Sequence, residues 1–174
     1  MKLNMTTLIV ALAFGLVALG IVLVGFIIPI PGTEIVTDPR EIFVTLGSAL
    51  TGPIGALIIG FLAGIAEPGG IPLASLLGHI AGALWMAFSY KKLVYERLEM
   101  PGRLLGWAVL VVVYYYLFVV PGFVIGLTLF YGEADPIGLY KALATGVVTE
   151  TIITTVVTTL VWLALPRAYQ KPLW

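Results

Sequence analysis

The sequence predicts an all-α membrane protein, a polytopic bundle of transmembrane helices, on two observations. First, the 174-residue chain is 60% hydrophobic and 10% charged, whereas a soluble domain carries about 25% charged residues. Second, apolar stretches close to the roughly 20 helical residues that a crossing needs follow one another with short polar segments between them. The five stretches cover residues 7–30, 42–66, 71–90, 104–131 and 139–165. We therefore expect a single transmembrane domain over residues 1–174.

The distribution of basic residues indicates six crossings rather than five. Segment 91–103 carries four Lys and Arg residues, and basic residues also lie close to both ends of the chain. Cytoplasmic loops are enriched in Lys and Arg, so this segment and both termini are expected inside. An odd number of crossings must then separate Glu41 from Lys91. Because only two apolar stretches lie between those residues, one of them has to cross the membrane twice.

The step Gly52-Pro53 is where the second apolar stretch is expected to divide. Proline inside a helix removes a backbone hydrogen bond and clashes with the preceding turn, but it begins a helix well. We predict two short helices, about 40–51 and 53–66, and therefore six transmembrane helices, of which the second and third are short. A five-helix alternative would put segment 91–103 outside, against the charge rule.

Composition argues against several classes of function. The absence of cysteine excludes disulfides and thiolate chemistry. The single histidine, His79, argues against a transition-metal centre built from protein ligands. Zero net charge and the lack of a basic run argue against binding of nucleic acid. No catalytic constellation or phosphate-cradling loop is visible, so we expect a protein that is not an enzyme and that holds neither a cofactor nor a metal.

Polar side chains at membrane depth point to a binding site. Glu150 lies about 16 Å into the last helix, counted from Leu139 at 1.5 Å per residue. His79 lies about 12 Å into its helix by the same measure, and Tyr115 and Tyr116 lie near the middle of the fifth helix. Ionisable groups at this depth are costly and usually functional. The alternative for Glu150 and His79 is a hydrogen bond that ties helices together.

The predicted external rim above these groups supplies further candidates, Glu67 and Tyr131. A concave site with aromatic walls, a few polar anchors and an opening to the outside is typical of a small-molecule pocket. Acidic residues outnumber basic ones on the external side, which favours a neutral or cationic ligand.

Small residues recur at four-residue spacing, as in Ala11 and Gly15 on the first helix. Such pairs let helix backbones approach closely in lipid. We interpret Ala11 and Gly15 as the best candidate for a face that docks on a partner; packing inside the bundle is the alternative.

These features resemble the S components, the substrate-binding membrane subunits, of energy-coupling-factor vitamin transporters. Residues 50–65 resemble the second and third helices of that family. The segment Ala11–Gly15 is similar to the small-residue motif by which the first helix of the family docks on its coupling protein. Segment 114–140 resembles the thiamin-specific member, in which an aromatic helix and a glycine-rich turn precede a last helix that contacts the ligand.

The resemblance implies a subunit of the plasma membrane that captures a vitamin-like molecule from outside and works with a membrane coupling protein and ATPase subunits. It also adds Tyr140, which matches a family aromatic, and Thr145 to the candidate ligand contacts. The pattern departs from the thiamin-specific member at Thr145, where that member has a ligand-binding asparagine. It departs again at Phe118, where a histidine is expected, so the resemblance does not name the ligand.

Two other functions remain open at this point. Residues 38–55 also resemble the membrane sensor module of some bacterial histidine kinases and cyclases, which implies a ligand-sensing transmembrane module. A third possibility is an accessory structural subunit of a larger membrane complex, for which extensive small-residue faces would be typical.

Overall fold

A computed structural model of the chain describes residues 4–29, 36–67 and 70–174. The described residues form six α-helices: α1 (Met5–Val24), α2 (Arg40–Ile65), α3 (Pro72–Ser89), α4 (Gly102–Val113), α5 (Val120–Tyr131) and α6 (Pro136–Ala164). A π-helical segment extends α3 over Tyr90–Tyr95, a second one joins α4 to α5 over Tyr114–Val119, and a 3₁₀ turn covers Arg167–Gln170. Two-residue strands β1 (Ile28–Pro29) and β2 (Val36–Thr37) pair antiparallel.

Within the described residues, five helical segments are long and apolar enough to cross a membrane. They are Met5–Val24, Arg40–Ile65, Pro72–Tyr95, Gly102–Tyr131 and Pro136–Ala164. The prediction of an all-helical chain with helices of membrane-crossing length is therefore confirmed.

The helix α2 is folded back on itself at the predicted Gly52-Pro53 step. Gly52 has φ 74° and ψ −176°, outside the helical region, and glycine adopts such a positive φ without steric cost. The Arg40 guanidinium donates to the carbonyl of Ala63 across 3.0 Å, although the two residues would lie about 35 Å apart along a straight helix. The two halves therefore run antiparallel as a helical hairpin.

Each half of this hairpin is short. Residues 40–51 and 53–65 each extend roughly 18–20 Å at the α-helical rise, whereas the hydrocarbon core of a bilayer is about 30 Å thick. The first residues of the hairpin lie beside the interior of α3 and not beside its start at Pro72, because Glu41 Oε1 is 2.7 Å from His79 Nε2.

Glycine determines how closely the hairpin packs on α3. A Cβ atom on Gly60 would lie 2.9 Å from the carbonyl oxygen of His79, and one on Gly64 would lie 2.8 Å from the Cα of Leu76. Real Cβ atoms do not approach backbone so closely, so only glycine fits at these positions. Small residues that allow such contacts are the usual means of helix association in lipid.

The contact between α3 and α5 is built in the same way. A Cβ atom on Gly122 would lie 2.6 Å from the Cα of Gly78, and one on Gly126 would lie 2.4 Å from the Cα of Ala74. The hairpin, α3 and α5 are thus held at backbone-to-backbone distance, which fixes the position of the side chains between them.

Ala11 and Gly15, expected as a docking face for a partner, pack inside the chain. Ala11 is fully buried, and a Cβ atom on Gly15 would lie 2.7 Å from the Cδ1 of Leu62 and 3.4 Å from the Cα of Ile59. Both small residues face the second half of the hairpin. They hold α1 against α2, so the docking role predicted for them is replaced by an intramolecular one.

One end of the bundle gathers the start of α1, the tip of the hairpin and the C-terminal segment; we call it the Trp174 end. The backbone N–H of Leu173 donates to the carbonyl of Leu50 across 2.8 Å, and the Lys91 ammonium donates to the carbonyl of Trp174. Asn4 approaches the carbonyl of Leu173 at 3.5 Å. The opposite end, which we call the Arg40 end, holds the mouth of the hairpin.

Aromatic side chains fill the bundle near the Trp174 end. The rings of Tyr90 and Trp162 are stacked with centroids 5.0 Å apart, and Trp107 meets both edge-on. The indole N–H of Trp107 donates to Thr158 Oγ1 across 2.8 Å. This cluster joins α4 to α6 at the end away from the polar groups described next.

Candidate functional site

Glu41, at the second position of α2, is the centre of a buried polar cluster. Its Oε1 lies 2.7 Å from His79 Nε2, and its Oε2 accepts a hydrogen bond from the hydroxyl of Tyr114. The other ring nitrogen, His79 Nδ1, lies 2.7 Å from the carbonyl of Ser75. A carbonyl only accepts, so Nδ1 is the donor in that hydrogen bond. Both oxygens of Glu41 are therefore occupied.

Arg40 closes the mouth of the hairpin with its charge balanced on several sides. Its Nε lies 3.1 Å from Asp38 Oδ2, and its Nη2 lies 3.1 Å from Glu67 Oε2. The Ala63 carbonyl, near the end of the second helical half, accepts from Nη1, where a cation also suits the helix dipole. Burial raises the pKa of Asp38, and the positive charge of Arg40 offsets only part of that rise.

A second, smaller polar cluster lies on α6. The Tyr115 hydroxyl lies 3.3 Å from Glu150 Oε1 and 2.8 Å from Thr154 Oγ1. Tyr115 and Thr154 are buried, with exposures of 1% and 2%, whereas Glu150 is half-buried. Glu150 is therefore held by one long hydrogen bond.

The π-helical segment explains how adjacent tyrosines reach the two different carboxyl groups. Pro121 has no N–H to give to the α-helical ladder, and the preceding N–H, that of Val120, donates to the carbonyl of Tyr115 five residues back. Such π-bulges are frequent at functional sites. The Tyr114 and Tyr115 rings meet edge to face with centroids 5.2 Å apart, and they link the Glu41 cluster to the Glu150 cluster.

A cavity of about 200 Å³ lies between the two clusters. Its polar lining comes from Arg40, Glu41, Glu67, His79, Tyr115 and Glu150. Its apolar wall is supplied by α6 and by the region where the π segment passes into α5, through Val119, Val120, Phe123, Leu143 and Val147. Apolar walls with a few convergent polar groups are typical of small-molecule sites.

Four of the residues predicted from the sequence line this one cavity. Glu150, His79, Tyr115 and Glu67, which come from α6, α3, the π segment and the residues after α2, all contribute to its lining. The structure thus brings together side chains that are separated by up to 83 positions in the chain, as given by 150 minus 67.

The other four predicted residues lie outside the cavity lining. The Tyr140 hydroxyl donates to the carbonyl of Tyr116 across 3.1 Å, so these two hold α6 against the π segment. Tyr131 is 42% exposed, and its hydroxyl accepts from the N–H of Leu73. Thr145 is exposed and bonds back to the carbonyl of Lys141 in its own helix.

Arg40 and Glu41 are the polar residues of the cavity lining that sequence reasoning missed. They precede the second apolar stretch, 42–66, and the charge pattern indicates an external position for Glu41. The signal that would have revealed them is the shortness of the two halves around Gly52: a short hairpin packed among longer helices begins below their ends. The first two residues of α2 are then buried and need partners.

The described residues contain no group of three or more His, Cys, Asp or Glu side chains arranged to hold a metal ion. The cavity lining itself offers hydrogen-bonding and charged side chains, from Arg40, Glu41, Glu67, His79, Tyr115 and Glu150. Comparison of the chain with protein-family models, with curated proteins and with solved structures gave no match.

Proposed function

We propose that this chain is the membrane-embedded substrate-capture subunit of an energy-coupling-factor-type importer, binding a vitamin-like small molecule from the outside. The cavity is the observation that carries the proposal. It combines convergent polar groups from four chain segments with an apolar wall, which is the usual composition of a small-molecule site. The packing around it is consistent with a preformed site, because α2, α3 and α5 meet at glycine contacts.

The proposed topology has six crossings with both termini in the cytoplasm of a plasma-membrane protein, counting each short half of α2 as one. Asn4, Lys91 and Trp174 lie together at one end, and segment 91–103 adds its four basic residues there. The positive-inside rule makes this the cytoplasmic end. The Arg40 end, closer to the cavity, then faces outside, where a nutrient would enter.

The proposed partners are a membrane coupling protein and ATPase subunits. Since Ala11 and Gly15 pack against the hairpin, the coupling protein would contact a different surface. A leucine at position 15 would collide with Leu62 and Ile59 inside the chain, so Gly15→Leu would disturb the packing of α1 and does not test partner association.

Affinity purification from native membranes in mild detergent, followed by mass spectrometry, tests the proposal. We expect two ATPases and a membrane coupling protein to copurify with the chain. Recovery with a histidine kinase or a cyclase would replace the transporter function by that of a ligand-sensing module. Recovery within another stable assembly, and without ligand binding, would indicate an accessory structural subunit.

A further inference from the structure

We propose that the cavity takes an organic cation that carries N–H donors, such as a protonated amine, and that Glu150 is the group that pairs with its charge. This inference rests on the proposed function, because it assumes that the cavity is a ligand site. It goes further by giving the chemical class of the ligand and the residue that selects it.

The first step of the argument is to ask which charges around the cavity are already paired. Glu41 uses one oxygen for His79 and the other for Tyr114. Asp38 and Glu67 both contact the guanidinium of Arg40 at 3.1 Å. These groups satisfy one another and leave neither a carboxylate nor the guanidinium available as the main anchor of a ligand.

Glu150 differs from all of them. Among the described residues its one hydrogen-bond donor is the Tyr115 hydroxyl at 3.3 Å, and that hydroxyl is closer to Thr154, at 2.8 Å. No Lys, Arg or His in the described part of the chain pairs with it. A carboxylate at this depth is costly without a cation, and a ligand with a positively charged N–H group supplies both the missing charge and the missing donors.

The apolar wall of the cavity indicates what the uncharged part of the ligand is like. Around Glu150 the wall is apolar, and it includes the aromatic ring of Phe123. An apolar or aromatic body attached to the charged head fits this surface, and an aromatic ring also attracts a cation. An anionic ligand is disfavoured, because the guanidinium of Arg40 that would bind it is enclosed by carboxylates at 3.1 to 3.9 Å.

The test uses three probes that share one ring and differ in charge: benzylammonium, benzyl alcohol and benzoate. Each is titrated against the purified full-length chain in lipid nanodiscs at neutral pH, and binding is followed by ligand-observed NMR. We expect benzylammonium to bind about ten- to hundred-fold more tightly than benzyl alcohol, the range for one hydrogen-bonded charge pair. Benzoate should bind most weakly.

Two matched variants locate the effect. Glu150→Gln should reduce the affinity for benzylammonium to that for benzyl alcohol, with little change for the alcohol itself. Glu133→Gln removes the same charge from an exposed position before α6 and should leave the ten-fold preference intact. A preference that survives Glu150→Gln, or that is lost equally in Glu133→Gln, would overturn the assignment to Glu150.

The comparison within the wild-type chain decides the ligand class even if the Glu150 variant folds poorly. Equal affinity for benzylammonium and benzyl alcohol would overturn the cation proposal and leave the cavity as a binding site for neutral molecules. Failure of all three probes to bind would count against the cavity as a ligand site, and therefore against the proposed function as well.

Discussion

The hairpin and α3 form a closely packed half of the molecule, and α6 belongs to a much looser one. Buried residues make up 67% of an 18-residue apolar stretch of α2 and 56% of one in Pro72–Tyr95, which is α3 with its π-helical extension, but 22% of one in α6. The first half is joined by glycines that let backbones touch, whereas α6 is joined to its neighbours through large side chains such as Trp107 and Trp162. We call the closely packed half the scaffold, and the cavity lies where it meets the less buried α6.

The two buried carboxyl clusters follow the same division. Glu41 sits in the scaffold with both oxygens bonded at 3% exposure, while Glu150 is half-buried on α6 with one long bond. One carboxyl is therefore suited to holding helices together and the other to receiving a ligand.

The largest expected effect on stability comes from Glu41→Gln, and the same substitution at Glu150, made in a separate variant, is the comparison. Glu41→Gln should lower the free energy of unfolding by about 3–5 kcal/mol, because it disrupts a fully buried pair in which both carboxyl oxygens have partners, His79 and Tyr114. Glu150→Gln should not lower it, since one weak hydrogen bond is altered and the cost of an unpaired carboxylate is removed. Unfolding titrations in mixed detergent micelles measure both. Equal losses would show that the two clusters do not differ in structural role.

A smaller effect is expected from adding one methyl group to the scaffold. Gly60→Ala places a Cβ atom 2.9 Å from the backbone of His79 and Ile80, and such overpacking costs about 1–3 kcal/mol. Gly20→Ala, in α1, is the matched control, because nothing lies within 4 Å of its Cβ position; alanine is the better helix former there. The melting temperatures of both variants in the same detergent test this. A Gly60 variant as stable as the Gly20 variant would contradict the close-packed scaffold.

The smallest loss of stability is expected for a substitution in α6, in the less closely packed half. Thr158→Val removes the acceptor of the buried Trp107 indole N–H, and an unsatisfied buried donor costs about 1–3 kcal/mol. We expect the low end of that range, because α6 can shift to relieve the loss. Thr145→Val, on the exposed face of the same helix, should stay within about 0.5 kcal/mol of wild type. Thermal unfolding compares the two, and a cost at Thr158 above that of Gly60→Ala would reverse the order of the two halves.

Sequence reasoning succeeded where a single residue type dictates the local structure. Gly52-Pro53 indicated the break in α2, because glycine accepts a positive φ and proline begins the next helix. The same kind of signal predicts Glu150 and His79, since ionisable side chains in apolar stretches stand out against their neighbours. Both line the cavity, and their role as ligand contacts stays a prediction.

Sequence reasoning failed where the position of a residue depends on which helices pack together. Nothing local distinguishes Ala11 and Gly15 from a docking motif; only the position of Leu62 and Ile59 against them shows that their contact is internal. Glu41 was missed for a similar reason. Its burial follows from the folding back of the hairpin, which places it beside His79, 38 positions away in the chain.

The π-helical segment Tyr114–Val119 also has a consequence for how this chain tolerates changes of length. A π-bulge is equivalent to one residue inserted into an α-helix, so deleting a single residue there would restore regular α-helical register. The part of the continuous helix Gly102–Tyr131 on one side of the deletion would then rotate by about 100° relative to the other part. Either Tyr114 would leave Glu41, or the Gly122 and Gly126 face would leave α3. One-residue deletions in this segment should therefore be far less tolerated than deletions in the loop before α6.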